Sequence, residues 1–186
     1  RDASGNTLFA GSVLGGVFRS DDKGNDWMKI SSASGNLNVT CLTQSSDGTI
    51  YLGTGEAFTV EKYTVLQPWG YTSGFLGQGI FKSTDGENFT LLTSTKPYMN
   101  GDDVMEWGYI NELVADPNGS RIYAATNSGL KCSADGGNTW AVATADDTTT
   151  LALVSRDVKI SSNGLVVAEV NNLCYVSESG DPAKFK

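Results

Sequence analysis

The chain has 186 residues, 13 basic and 21 acidic side chains, no His, and a formal net charge of −8. The few Lys and Arg form no cluster, so phosphate neutralisation, on which nucleic-acid binding rests, has no basis here; an anionic membrane surface is excluded on the same ground. No apolar run approaches the roughly 18 residues of a membrane-spanning helix.

Gly is abundant at 22 residues and Pro rare at 4. Short runs of aromatic and β-branched residues lie between turn residues, and no useful stretch has helical period, so an all-β chain is predicted. The first unit opens on the turn Ser4-Gly5-Asn6, continues with strand Leu8-Phe9-Ala10, and closes in a turn starting at Ser20. The second has Asp47-Gly48, Ile50-Tyr51-Leu52 and Ser83. The third has Asn118-Gly119, Ile122-Tyr123-Ala124 and Ser133, and the fourth Asn163-Gly164, Leu165-Val166-Val167-Ala168 and Ser177. The turn glycines are 43 residues apart from Gly5 to Gly48, 71 to Gly119 and 45 to Gly164. Four-stranded propeller blades repeat at about 40–50 residues, and stacking of such units buries a core that no single unit can make. The excess in the middle interval is placed in an insertion at 56–78, between the second and third strands of its unit, with the remainder at 96–107.

The closing turns carry a resemblance. Ser133-Ala134-Asp135-Gly136-Gly137-Asn138-Thr139-Trp140 is similar to a complete Asp-box, the bacterial neuraminidase repeat. Ser20, Asp22, Gly24 and Trp27 fit the same pattern with Asp26 in the Thr place; Ser83, Asp85 and Phe89 fit one residue shorter. Ser177 opens a degenerate copy with Ser179 in the Asp place and a late aromatic, Phe185. In such a turn the short carboxylate accepts backbone N–H groups, Gly supplies a positive φ, and the aromatic covers the hairpin. The resemblance implies a β-propeller of four-stranded antiparallel blades, approximately 1–37, 38–95, 108–145 and 156–186, the first and last incomplete, in one domain segment. The chain begins without Met inside a turn and stops inside the fourth copy, so it reads as part of a larger propeller whose remainder is its first partner. Secreted or surface-displayed bacterial proteins are the implied setting.

A calcium site at Asp21, Asp22, Asn25 and Asp26 lacks the ligand spacing of a calcium loop, so no metal and no cofactor are expected. Cys41, Cys132 and Cys174 sit in apolar strand sequence and read as small buried hydrophobes, with a Cys132–Cys174 bridge as the alternative. Asn38, Asn88 and Asn118 begin glycosylation sequons.

The resemblance puts the closing turns at one face and both insertions at the opposite one. Phe58, Tyr63, Trp69, Tyr71 and Phe75 place five of the 18 aromatics in the first insertion; Tyr98, Asp102, Asp103, Glu106 and Trp107 lie in the second. Aromatic faces beside carboxylates suit sugars, and exposed Trp and Tyr also suit proteins. The ligand-contact candidates are Trp69, Tyr71, Trp107 and Glu56, on a non-catalytic glycan- or protein-binding scaffold.

An enzyme needs more. Sialidases of this resemblance use three Arg, whereas this chain has only Arg1, Arg19, Arg121 and Arg156, two of them on the turn side. Xyloglucan-cleaving glycosidases use paired carboxylates, whose spacing sets the stereochemistry. The candidates are Glu56, Asp102 and Asp103, with Glu106, Asp146 and Asp147 behind them, as part of a hydrolase whose other groups lie outside these residues.

Overall fold

The computed structural model describes residues 4–30, 37–59, 71–100, 103–146 and 148–186. Short strands dominate. The first sheet holds β1 (Leu8–Ser12), β2 (Gly16–Ser20) and β3 (Met28–Lys29). The second follows with β4 (Val39–Gln44) and β5 (Ile50–Thr54) and is interrupted by a hairpin of β6 (Glu56–Thr59) and β7 (Tyr71–Phe75). It resumes with β8 (Ile80–Ser83) and β9 (Thr90–Leu91). A second hairpin, β10 (Tyr98–Asn100) with β11 (Asp103–Glu106), precedes the third sheet, β12 (Ile110–Ala115), β13 (Ile122–Thr126), β14 (Gly129–Ser133) and β15 (Ala141–Val142). A short pair, β16 (Thr144–Ala145) and β17 (Thr149–Thr150), leads to the fourth sheet of β18 (Ser155–Ile160), β19 (Val166–Val170) and β20 (Leu173–Ser177).

Every paired strand in these sheets is antiparallel to its neighbour, in sequential order. Three of the sheets begin with a six-residue strand, β4, β12 or β18, and these pack side by side. The fold is that of a β-propeller, with stacked sheets that bury their faces against one another. The described parts of both insertions therefore pair as two-stranded hairpins, and among the described residues neither shares hydrogen-bonded strand pairing with the sheet it interrupts or precedes.

Three apolar clusters fill the three junctions between successive sheets. Val17, Val39, Leu52 and Phe89 join the first to the second. Tyr51, Ile80, Ile110 and Leu113 join the second to the third, with Trp140 packed against them. Tyr123, Val158, Val166 and Phe185 join the third to the fourth. The last aromatic of the second, third and fourth closing turns thus reaches back over the preceding sheet. Phe185 is fully buried, edge-on to Tyr123 at 6.1 Å between ring centroids. Trp27 occupies the same place in the first sheet, has no earlier sheet before it among the described residues, and is 43% exposed.

The turns that aim these rings share one geometry. Ser133 Oγ donates to Asp135 Oδ1 at 2.8 Å and accepts from Gly137 N–H at 2.9 Å. Asp135 also receives the Thr139 N–H at 2.9 Å and the Thr139 hydroxyl at 2.6 Å. Trp140 Nε1–H then donates to Gly137 O at 3.1 Å, which fixes the indole. The first turn repeats this with Ser20, Asp22, Gly24 and Trp27. In the second, Ser83 Oγ accepts from Gly86 rather than from a residue four on, which accommodates the missing residue. In the fourth, where Ser179 stands in the Asp place, Asp181 supplies the carboxylate to Ala183 N–H at 3.0 Å, and Ser177 Oγ donates to Asp181 O. Gly137 shows why Gly is required: its φ is +87°, and a Cβ there would strike Leu92 across the sheet junction.

Cys41 and Cys132 are buried, but Cys174 is exposed on β20, and all three are free thiols. Burial pushes the Cys41 thiol up to about 12 and Cys132 up to about 11, so neither is a thiolate at neutral pH. The expectation of three buried cysteines fails at Cys174, whose place in the last strand of its sheet leaves it uncovered.

If the closing-turn aromatics cement the junctions, Phe185→Ala lowers unfolding free energy by roughly 3–5 kcal/mol. Trp27→Ala costs about 1 kcal/mol or less in the same urea titration of these 186 residues, because no described sheet faces its half-exposed ring. Equal losses would contradict this division.

Candidate functional site

Strand direction assigns the connections to two ends of the sheets. The closing turns and the tight turns at Ser45–Thr49, Asp116–Arg121 and Ser161–Leu165 fall at one end. Both hairpins, the β1–β2, β13–β14 and β19–β20 turns, and the crossovers between sheets fall at the other.

The turn end consumes its own polar groups. Asp47 accepts from Ser45 Oγ at 2.6 Å and from Thr49 N–H at 2.9 Å. Arg19 bridges Asp21 and Glu87, and Arg121 donates to Gly180 O at 2.9 Å. The sequon amides at this end are also engaged, Asn88 with Asp85 Oδ2 and Asn118 with Ser162 O, while Asn38, at the opposite end, donates to Leu76 O. Hydrogen bonds hold the turn carboxyls below the usual range. Thr139 and Ser133 bring Asp135 down from 3.8 to about 2. Bonds from Asn88, Glu87 and Ser83 lower Asp85 further, and Asp26 N–H with Ser20 lowers Asp22. These groups are exposed yet committed to the turns, so their chemistry is structural.

Asp146, expected at the insertion end, lies against the fourth closing turn instead. With Glu178, Ser179, Ala183, Lys184 and Lys186 it lines a hollow of about 380 Å³. A bond from Asp146 N–H to Phe185 O draws β16 onto that turn. Lys186 donates to Glu178 at 2.7 Å within the hollow.

The insertion end is built differently. Thr54 ends β5 by donating its hydroxyl to Gly79 O at 2.6 Å and receiving Gln78 N–H at 2.8 Å, which pinches the root of the first hairpin. Gly55 N–H donates to Asn38 O at 2.9 Å and Gly77 N–H to Gly108 O at 2.8 Å. The latter bond joins the first hairpin to the segment that leaves the second. Gly55 has a φ of +97°, and a Cβ there would collide with the Gly108 carbonyl oxygen. Only Gly permits this approach.

Trp107 is 5% exposed, so it does not present its ring to solvent as expected of a ligand contact. Its φ is +62°, a region that bulky residues rarely occupy and that costs on the order of 1–3 kcal/mol. The ring is held edge-on to Trp140 at 5.2 Å between centroids, with Lys131 Nζ 5.2 Å from its own centroid. Lys131, itself nearly buried, also pairs with Glu106 at 3.1 Å. Trp107 and Lys131 therefore anchor the second hairpin to β14 and to the third closing turn.

The other candidates fall as follows. Glu56 begins β6, partly exposed, opposite Phe75 in the register; Tyr71 begins β7, opposite Thr59; Asp103 begins β11, opposite Asn100. Glu56 and Asp103 thus stand on separate hairpins. Trp69, Asp102 and Asp147 lie outside the described residues. What the sequence reading missed is aliphatic. Among the described residues nine large hydrophobic side chains face solvent, and seven of them are at this end. Leu14, Leu153 and Leu173 sit on turns and a crossover, and Phe75, Leu76, Tyr98 and Met99 on or beside the hairpins. Tyr98 is the most open of the hairpin group at 61%. No group of three or more potential metal ligands occurs among the described residues.

No family model matches the chain, and no curated protein matches it. Solved structures do. The chain is similar to YCF48 bound to a D1 peptide, at 12% identity and a TM-score of 0.57 over 98% of this chain and 51% of that one. It is similar to the GH74 xyloglucanase of Xanthomonas campestris, at 16% identity and 0.59 over 97% of this chain and 28% of that one. It is also similar to the extracellular domain of a hybrid two-component system of B. thetaiotaomicron, at 14% and 0.62 over 98% and 20%. The likeness is one of fold, and this chain spans between a fifth and about half of those chains.

The lowered turn carboxyls make stability depend on pH with a definite sign. A folded pKa below the unfolded value contributes stability that is present above the unfolded value and lost as pH falls through the folded one. The urea midpoint should hold down to roughly pH 5 and then fall toward pH 2, across the interval from 3.8 to about 2 for Asp135. Asp135→Asn should flatten that fall, and an unchanged profile would contradict the role of its ionised form.

Proposed function

We propose that this chain is part of a non-catalytic Asp-box propeller that binds or scaffolds a partner, glycan or protein, through the end opposite its closing turns. The observation carrying this reading is the division of the surface. The turn end satisfies its own carboxylates, whereas the insertion end leaves seven large apolar side chains in solvent. Large apolar side chains gathered at one end suit an interaction site, and Phe75–Leu76 and Tyr98–Met99 form adjacent exposed pairs on the two insertions. Trp69 and Tyr71 in the first insertion, with Glu56 at its root, are the further contacts of this reading; Trp107 supports the site from beneath. Structural neighbours with a bound peptide, and others that are extracellular domains, support a binding role in a secreted or cell-surface bacterial protein. Among the described residues no helix is long and apolar enough to cross a membrane.

The likeness to GH74 xyloglucanases favours one second reading, a partial hydrolase domain with Glu56, Asp102 or Asp103 as acid or base. The two readings part in one experiment. The protein is screened on a glycan array and a peptide library and assayed for release of reducing ends from xyloglucan. The binding reading expects a ligand whose affinity falls about tenfold in Tyr98→Ala and is unchanged in Lys82→Ala, away from the insertions, with no hydrolysis. Hydrolysis abolished by Glu56→Gln would overturn it in favour of the enzyme.

A further inference from the structure

We infer that the two insertion hairpins form one composite docking surface whose occupant is an extended polypeptide segment, apolar and basic in character. This rests on the binding role proposed above and narrows it to one partner class.

Composite character follows from the roots. Gly77 N–H donates to Gly108 O at 2.8 Å, while Gly55 packs so close to that carbonyl that no Cβ fits between them. Phe75 and Leu76 immediately precede Gly77. Tyr98 is paired in register with Glu106, two residues before Gly108. The apolar residues of one hairpin are therefore tied through a single backbone bond to those of the other. On its far side the second hairpin is pinned by Lys131 and the buried Trp107.

The partner class follows from the side chains. A sugar site needs flat rings beside hydroxyl-bonding groups. Here Leu76 and Met99 supply neither, yet both are exposed beside Phe75 and Tyr98. Met and aromatic residues are enriched where protein meets protein. Each hairpin is only two strands wide, and among the described residues no third strand pairs with β6–β7 or β10–β11. Free strand edges take up extended polypeptide by main-chain hydrogen bonding, with alternate side chains reaching the apolar surface.

The charge of the partner follows from what flanks the patch. Glu56 is paired in register with Phe75, and Glu106 with Tyr98. Glu106 remains about half exposed beyond its bond to Lys131. Among the described residues of the two insertions one exposed cation, Lys96, stands at the start of the second hairpin, against a chain net charge of −8. Complementarity thus selects Lys or Arg between the apolar residues of the occupant.

The test is selection from a random 12-residue peptide library displayed on phage, with the same protein run in parallel on a glycan array. The expected result is enrichment of peptides in which Lys or Arg alternate with Leu, Ile, Val or Phe. A synthetic copy of the enriched peptide, followed by fluorescence anisotropy, should bind about tenfold more weakly to Leu76→Ser and to Tyr98→Ser, which lie on different hairpins. Glu56→Gln should lower its affinity and reduce its salt dependence. The Leu76 and Tyr98 side chains are exposed and Glu56 is partly so, and near-ultraviolet circular dichroism establishes that each variant is folded. Selection of acidic peptides, or an effect confined to one hairpin, would overturn the inference. Glycan binding without peptide binding would overturn it while leaving the binding role intact. Silence from both libraries would remove the two together.

Discussion

The closing-turn aromatic, seated over the sheet that precedes its own, is the contact on which the rest of the structure depends. A short twisted sheet cannot bury both faces alone, and stacking is the remedy. Stacking needs something to set the spacing, and Phe89, Trp140 and Phe185 do so at three successive junctions. The carboxylate of each turn gathers backbone N–H groups, the Ser hydroxyl closes the loop, and the indole N–H locks the ring where one is present. The fourth turn keeps this outcome after losing the motif: Asp181 takes over as acceptor, and Phe185 still reaches full burial. Seating the ring is the constraint, and the motif is one way to satisfy it.

That arrangement leaves the two ends of the sheets free to differ. At the turn end, the closing-turn carboxylates Asp22, Asp85 and Asp135 are engaged within their own loops, and Arg19, Asn118 and Arg121 bond to the neighbouring ones. At the insertion end, the chain departs from the repeat twice, and both departures are knit at Gly55, Gly77 and Gly108. A bulky Trp107 in a left-handed conformation is costly, and it is retained where its ring meets Trp140 and Lys131. The same closing turn that cements a junction therefore also braces the second hairpin.

Spacing made the sheets legible. Gly turns 43 and 45 residues apart, with one interval lengthened to 71 by the insertions, each followed by an apolar strand and a Ser, mark repeating units whose strands the structure reproduces. The fate of single residues was less legible because it depends on neighbours in space. Trp107 reads as a loop aromatic beside carboxylates, but the third closing turn lies over it and makes it core. Cys174 sits among apolar residues in sequence, yet its strand is the last of its sheet and stays open. Asp146 follows a strand that leads to the insertion end, but β16 is drawn across to the fourth turn. The hairpins carry few signals of strand, and beside Phe75 and Tyr98 their exposed apolar side chains include Leu76 and Met99, residue types that suggest core rather than site.

Hydroxyl-radical footprinting of the intact protein tests the central claim, that one set of hydrophobic side chains builds the junctions and another is presented to a partner. Rapid oxidation of Met99, Tyr98, Phe75 and Leu173, with Trp140, Phe185, Phe89 and Trp107 protected, is the result this account predicts. Protection of the first group, or fast oxidation of Trp107 and Trp140, would mean that the hairpins fold inward and that the insertion end is no docking surface.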